Sequence, residues 1–520
     1  FKGCSSLQKI TLPDSLKNIN AGAFSNCSSL DAINIPGNVV NISNSVFNGC
    51  TSLTTVKLPE KIIYIGSGLF NGCTGLTSIT IPDSVIGIGN FAFRGCTSLS
   101  SITIPKNVTS IGGEAFYDCK NLTSLTLSNN LKSIANSVFS GCNKLSKVYI
   151  TDMTAWCNIE FNDYWGSNPL YYGADLYLNG NKVTDLVIPD NVKEIKPYSF
   201  HKYKQLNTVN VSNSVTKIGE RAFYECSNLT MINIPSRVTN IGYEAFYSCK
   251  NLNKVNINDL TSWCNIDFVS STSNPLQNGA DLCLNGANVE NVSNLSGIKK
   301  IKQYVFYNCK TLTSIVIPNG ITEIGYSAFF GCSNLTSVTI PASVTSISGY
   351  AFGSCSNLNQ VNISSIDKWF DINFDSSEGN PLTYASNLNL NGSKVTDVVI
   401  PSGLKSIRKY AMYGYKGLTS LTIHADVTEI GNSAFYNCTN LDRVNITDLT
   451  AWEKIRFGYY GSDNPLINNT GLYVNGEAIT KLTINDDNFN YYAYRGCSTL
   501  TSAEYTYNIK KYLNMHFTNV

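Results

Sequence analysis

The sequence predicts a repeat solenoid of the α/β type, rich in short strands and poor in helix, with about twenty stacked coils. Two observations predict it. Fourteen of the 17 cysteines fall on one grid: Cys4, Cys27, Cys50, Cys73, Cys96, Cys119 and Cys142 follow one another at 23 residues, and later blocks resume that spacing. On the same grid, nearly every apolar residue finds a place in L-x-x-I-x-I-P-x-x-V-x-x-I-G-x-x-A-F-x-x-C, as at Leu76, Ile79, Ile81, Pro82, Val85, Ile88, Ala92, Phe93 and Cys96. A fixed period of this size marks a solenoid.

The segment L-x-x-I-x-I is a short strand, because its β-branched residues alternate inward and outward and the following proline cannot continue a ladder. It recurs from Leu7 to Leu500. One coil cannot fold alone. Its roughly eight inward apolar groups are worth about 2 kcal/mol each on burial, against a backbone entropy cost of roughly 1 to 2 kcal/mol for each of its residues. Stacking adds hydrogen bonds between coils and covers both open sides of each layer. The solenoid is expected over residues 1–500, with 501–520 a C-terminal cap or the start of a following segment, and the chain as a whole is expected to be a piece of a longer precursor.

The pattern, with A-F-x-x-C closing each coil and I-P closing each strand, resembles the BspA-like leucine-rich-repeat family of microbial surface proteins. The resemblance covers nearly the whole chain and implies a strand-rich leucine-rich-repeat solenoid. It also implies an extracellular or cell-surface location and a role in adhesion, with a protein, extracellular matrix or polymer partner and no active site. Proline stands where the commoner leucine-rich consensus runs on toward its Asn or Cys ladder, so the curvature of a standard horseshoe is not expected.

Four coils are longer, spanning 145–183, 252–289, 358–395 and 441–479. Each carries a Trp (Trp156, Trp263, Trp369, Trp452), then I-x-F, Asn-Pro-Leu and a hairpin-like stretch such as Leu176-Tyr177-Leu178-Asn179-Gly180. The Asn-Gly pair favours a tight turn, and Asp152 and Asp448 are placed to cap a helical turn. One helical turn and a hairpin are expected to protrude from one edge. The coils after the first three insertions are basic (Lys196, Lys302 and Lys409, for example) and the insertions carry Glu160, Asp267 and Asp375, so each insertion is expected to fold back over its next coil through surface ion pairs.

Net charge is +2, so no global field draws the chain to nucleic acid or acidic lipid, and no apolar run is long enough for membrane insertion. Catalysis finds little footing: His201, His424 and His516 lie far apart in the array, no C-x-x-C spacing suggests zinc, and no phosphate-cradling glycine loop occurs. Neither enzyme chemistry nor a cofactor or metal is expected. The closing cysteines are expected as reduced, buried thiols, because equivalent Cβ vectors run parallel and a disulfide needs them to converge.

Two surfaces are the candidates for binding a partner. One is the outward strand face, with Ser78 and Thr80, Ser101 and Thr103, Ser124 and Thr126, and Tyr149. The other is the insertion aromatics Tyr164, Trp165, Tyr171, Tyr172, Tyr459 and Tyr460, rings of the type that anchor protein interfaces. A bland reading stands beside each: Thr is a good exposed strand residue, and the rings can pack the insertion onto the solenoid. A passive spacer displaying another domain and a glycan-binding or glycan-active surface protein are the rival functions.

Overall fold

A computed structural model describes residues 1–458, 463–484 and 489–505. The chain divides into two compact units, Phe1–Ser262 with Ile266–Gly286, and Trp263–Asn265 with Ala287–Val520. It is a β-solenoid of about 21 coils with few helices.

Within a coil, L-x-x-I-x-I forms the first strand. In the first unit Ser101–Thr103, Ser124–Thr126, Lys147–Ile150 and Asp175–Leu178 run parallel and in register, Ser101 opposite Ser124, Ser124 opposite Lys147 and Lys147 opposite Asp175. The alternation holds: Ile102, Leu125 and Val148 are buried, and their neighbours face outward. A second ladder, unforeseen in the sequence, runs through V-x-x-I. Strands of two residues, Tyr64–Ile65, Gly87–Ile88, Ser110–Ile111 and Ser133–Ile134, pair coil to coil. The glycine after this isoleucine is dictated by the close approach of the coil before it. A Cβ on Gly112 would lie 2.5 Å from Asn90 N, and one on Gly242 2.6 Å from Glu220 N.

The third side of each coil is the A-F-x-x-C turn, bonded to its neighbour through main chain, as from Phe70 N to Ala92 O (2.7 Å) and from Gly95 N to Tyr117 O (2.7 Å). Inside it the phenylalanines stack. Phe24, Phe47, Phe70, Phe93, Phe116 and Phe139 have ring centroids 5.2 to 5.8 Å apart and planes within 16°. Most closing thiols donate to a main-chain carbonyl one coil back: Cys50 Sγ to Phe24 O (3.1 Å), Cys73 to Phe47 O (3.0 Å), and so on to Cys438, which donates to Met412 O (3.1 Å), while Cys309 and Cys497 meet the hydroxyls of Thr311 and Thr499. The cysteine grid is thus a column of S–H···O=C bonds.

The long coils depart from expectation in one respect. The capped helical turn is present in each, as Met153–Cys157, Leu260–Cys264, Ile366–Phe370 and Leu449–Glu453, with Asp152, Asp259, Ser365 and Asp448 accepting a main-chain N–H of the first turn. The hairpin is present too. Yet the insertion does not protrude. The first arm of the hairpin, Asp175–Leu178, is itself a rung, with Val148 opposite Leu176 and Ile150 opposite Leu178. The second arm, Asn181–Lys182, turns back antiparallel on it through Asn179-Gly180 and occupies the edge where a parallel rung would add. The ladder stops there and a new sheet starts at Asp185–Val187. The tryptophans are likewise interior, each 1% exposed. The long coil has no phenylalanine in the column between Phe139 and Phe200, and the indole packs inward beside it: Trp156 meets Phe161 at 5.5 Å and Phe200 at 6.4 Å.

Candidate binding surfaces

The second-order motif explains itself as a clamp. Each indole N–H donates to a carbonyl just ahead of the next coil's Phe200, Phe306, Met412 or Tyr494: Trp156 to Ser199 O, Trp263 to Val305 O, Trp369 to Ala411 O and Trp452 to Ala493 O, at 2.9 to 3.2 Å. The asparagine of Asn-Pro-Leu accepts from the leucine N–H, starting a 3-10 turn, and donates forward. Asn168 Nδ2 reaches Tyr198 O (2.6 Å) and Ser199 O (3.0 Å), and Asn380 Nδ2 reaches Tyr410 O (2.6 Å) and Ala411 O (3.2 Å). These residues hold coils together and face no partner.

In the first insertion the expected ion pair forms, with Lys196 Nζ 3.8 Å from Glu160 Oε1. In the second and third the lysine reaches main chain of the insertion, Lys302 Nζ to Asn265 O (2.8 Å) and Lys409 Nζ to Asp375 O (3.3 Å). Each of these three insertions is thus tied to the coil that follows it.

The insertion aromatics separate into two kinds. Tyr172 is half-buried, and its hydroxyl accepts from Gly141 N (3.3 Å), as the hydroxyl of Tyr384 accepts from Ser354 N (3.1 Å). Tyr171 is half-buried under the Lys202 ammonium, 4.2 Å from its ring centre, and beside His201. Both are packing residues. Tyr164 and Trp165, by contrast, are 37% and 58% exposed. Their loop is pinned by Asp163, which accepts from Trp165 N (3.1 Å), Ser167 N (3.0 Å) and Ser137 N (2.8 Å), while Ser140 Oγ donates to Trp165 O (2.8 Å). The Arg221 guanidinium lies 4.5 Å from the centre of Tyr164, 5.5 Å from Tyr224 and 5.8 Å from Tyr243, and is paired with Glu244 at 2.7 Å. With Tyr243 and Tyr247 also exposed, and Tyr247 stacked on Tyr224 at 5.2 Å, the result is a rigid, charge-compensated aromatic patch on the first unit. The corresponding stretches of the second and third insertions, Val269–Thr272 and Asp375–Glu378, carry no ring. Tyr459 and Tyr460 lie outside the described residues.

On the strand face, Ser78, Thr80, Ser101 and Thr103 are exposed and Ser124 and Thr126 half-buried. Thr80 forms only an isolated bridge to Lys57, whereas Thr103, Thr126, Tyr149 and Tyr177 follow one another across the ladder. Tyr149 stacks against Tyr177 at 5.2 Å, a ring the sequence reading had assigned to a protruding hairpin. Further along the first unit this outward column becomes amide, Asn210, Asn233 and Asn256, a run the sequence reading missed although each stands at the outward position between two apolar residues.

His201 is enclosed by Tyr171, Tyr198 and Tyr224, and burial, with Lys202 and Arg221 adding to it, pulls its pKa down to about 3. It is 2% exposed and so meets no substrate. Among the described residues, no three His, Cys, Asp or Glu side chains are grouped to hold a metal ion, and no helix is long and apolar enough to cross a membrane.

The family model for the BspA type leucine rich repeat region matches residues 1–85, 64–163, 173–274, 280–390 and 386–462. The chain belongs to that family. Proteins built on this repeat are generally non-enzymatic and bind other proteins, and its bacterial members include cell-surface proteins. Among solved structures, this BspA-type chain is similar to a leucine-rich repeat protein of Bacteroides ovatus, at 23% identity over 85% of this chain and 87% of that one, with a TM-score of 0.31. A leucine rich cell surface protein of Faecalibacterium prausnitzii matches at 23% identity, covering 82% of this chain and 90% of that one, with a TM-score of 0.26. The leucine rich repeat protein of T. pallidum matches at 26% identity, covering 38% and 78%, with a TM-score of 0.26. No curated protein matches in sequence.

Proposed function

We propose that this BspA-type chain is a non-enzymatic adhesive protein, displayed at the cell surface or secreted, which binds a protein or matrix partner through the aromatic patch of its first insertion. The observation that carries the reading is the exposure of Trp165 and Tyr164 on a loop held rigid by Asp163 and Arg221. Interface hot spots are enriched in Trp, Tyr and Arg, and rings fixed before binding lose little further entropy on contact. Tyr164 also packs against Arg221 and Tyr198, but unlike Tyr171 and Tyr172 both rings of the loop remain open to solvent.

The test is a binding screen of the purified chain against immobilised host-surface and matrix proteins, repeated with Tyr164→Ala/Trp165→Ala and with Tyr172→Phe. A partner should lose at least about tenfold in affinity with the double variant, the usual loss of 1.4 kcal/mol or more at an anchor. Melting temperature should not change, and Tyr172→Phe should bind normally. A passive spacer would capture nothing, and a partner indifferent to the double variant would move the site to the strand face.

A further inference from the structure

A second surface, independent of the aromatic patch, carries its own chemistry. At the C-terminal ends of the strands Thr208–Asn210, Met231–Ile234, Lys254–Ile257 and Asp281–Leu284, all in the first unit, lies an open groove of about 440 Å³. Six side-chain amides line it: Asn210, Asn213, Asn233, Asn256, Asn258 and Asn285. The Asn285-Gly286 hairpin turn walls one end, and Asp190, which accepts from Ser212 Oγ at 2.6 Å, stands at the other.

The amides on the floor are ordered. Asn256 Nδ2 donates to Asn233 Oδ1 at 2.9 Å, and Asn233 Nδ2 to Asn210 Oδ1 at 3.5 Å. In the second unit the equivalent run is completed by Asn389, whose Nδ2 donates to Asn362 Oδ1 at 2.9 Å. In the first unit Cys283 stands in that place, opposite Asn256, and Asn256 Oδ1 is left without a hydrogen-bond partner. The floor's amide run thus ends at Asn256, its last Oδ1 buried against the Cys283 rung.

The geometry points to a binding groove for a neutral glycan. No Lys, Arg or His lines the groove, so a phosphate, a sulfated sugar or a nucleic acid meets no counter-charge, and a single carboxylate is too little for a cation. What remains is a ligand that offers and accepts hydrogen bonds without charge. An amide side chain carries two donors and an acceptor, which suits paired hydroxyls as well as peptide groups. Spacing decides between those two. Rungs repeat at about 4.8 Å, while an extended peptide repeats its side every two residues, about 6.7 Å, and falls out of phase with successive amides. An extended chain of pyranose rings advances by nearly one rung per sugar, so each ring can present its hydroxyls to one amide.

The purified chain should be run by affinity electrophoresis through gels containing soluble starch, β-1,3-glucan, mannan or galactomannan. Retardation in at least one gel is expected. Asn213→Ala/Asn258→Ala, two exposed loop positions outside the ladder, should weaken it at least tenfold with an unchanged melting temperature. Tyr164→Ala/Trp165→Ala should leave it intact, so failure of the groove and failure of the aromatic patch are read separately. Unretarded migration in all four gels, retardation indifferent to the groove variant, or selection of peptides by the groove in place of glycans would overturn the assignment.

Discussion

A closing thiol is held by two effects that act together: its Sγ donates to a carbonyl one coil back, and burial makes the thiolate costly. For Cys50, Cys96, Cys249, Cys355 and Cys438, burial pushes the pKa up to about 12. The thiolate is the reactive form, so these cysteines are inert near neutral pH. Iodoacetamide at pH 8 should label Cys4 quickly, Cys497 more slowly and the fifteen buried cysteines only after denaturant, read by mass spectrometry. Rapid native labelling at any grid position between Cys27 and Cys438 would contradict the burial. His201 gives the opposite sign. Its imidazole stays neutral in the fold down to about pH 3, whereas the unfolded chain takes up a proton near 6.5. The unfolded state therefore binds more protons across this window, and the contribution of His201 to stability, whole above pH 6.5, is lost progressively as pH falls toward 3. His201→Phe should flatten the fall of the urea midpoint between pH 7 and pH 4; an unchanged slope would place the acid sensitivity elsewhere. At Cys283, substitution by Asn should supply the donor that Asn389 supplies in the second unit and raise stability by about 1 kcal/mol, measured by urea unfolding.

At the scale of elements, the long coil is a regular coil refitted around one missing ring. Asn380→Ala removes one accepted and two donated bonds and leaves carbonyls of Tyr410 and Ala411 short of a donor. A loss of about 2 to 4 kcal/mol is expected, seen as faster amide exchange through residues 381–412. Protection equal to wild type would mean that the clamp adds nothing. The tyrosines at closing positions belong to the same refitting. After a hairpin the coil offers a different carbonyl, and Tyr203 Oη donates to Val183 O (2.6 Å) as Tyr415 Oη does to Val395 O (2.6 Å). In the fourth case Thr499 Oγ1 meets Leu472 N (3.2 Å) and Leu472 O (3.3 Å), two residues beyond Cys497. Here the limits of legibility have a physical cause. The first strand was plain because an inward Leu76, Ile79 and Ile81 can be read from spacing alone. The rung Asp175–Leu178 was not, because it sits 28 residues after Lys147 and off the 23-residue grid. The helical turn was expected to protrude because a large ring such as Trp156 says nothing by itself about which way its helix faces. The second ladder escaped because strands of two residues have no alternation to show. Of the candidate site, Tyr164 and Trp165 stood out as rings in a polar loop, whereas Arg221 and Tyr243 join them only through coil stacking, two and three coils downstream.

At the scale of the whole molecule, each coil answers only to the coils beside it, so the structure should tolerate loss of a full repeat and refuse loss of part of one. Excising the 23 residues Thr97–Cys119 joins Cys96 to Lys120. The rung Ser124–Thr126 then follows the coil of Thr80, Ile134 meets Ile88, Phe139 stacks on Phe93, and Cys142 finds the Phe93 carbonyl where it had used that of Phe116. Every inward group keeps an inward neighbour. Excising only the 12 residues Thr97–Val108 instead sets the V-x-x-I strand against an L-x-x-I-x-I strand and brings outward polar groups under the Phe column. The full excision should keep the far-UV spectrum and lower the melting temperature by a few degrees. The partial one should expose the first unit to limited proteolysis at low protease concentration. Equal proteolytic sensitivity of the two deletions would mean that stability is shared across the unit as in an ordinary globular core, and that stacking between neighbours is not what holds the coils.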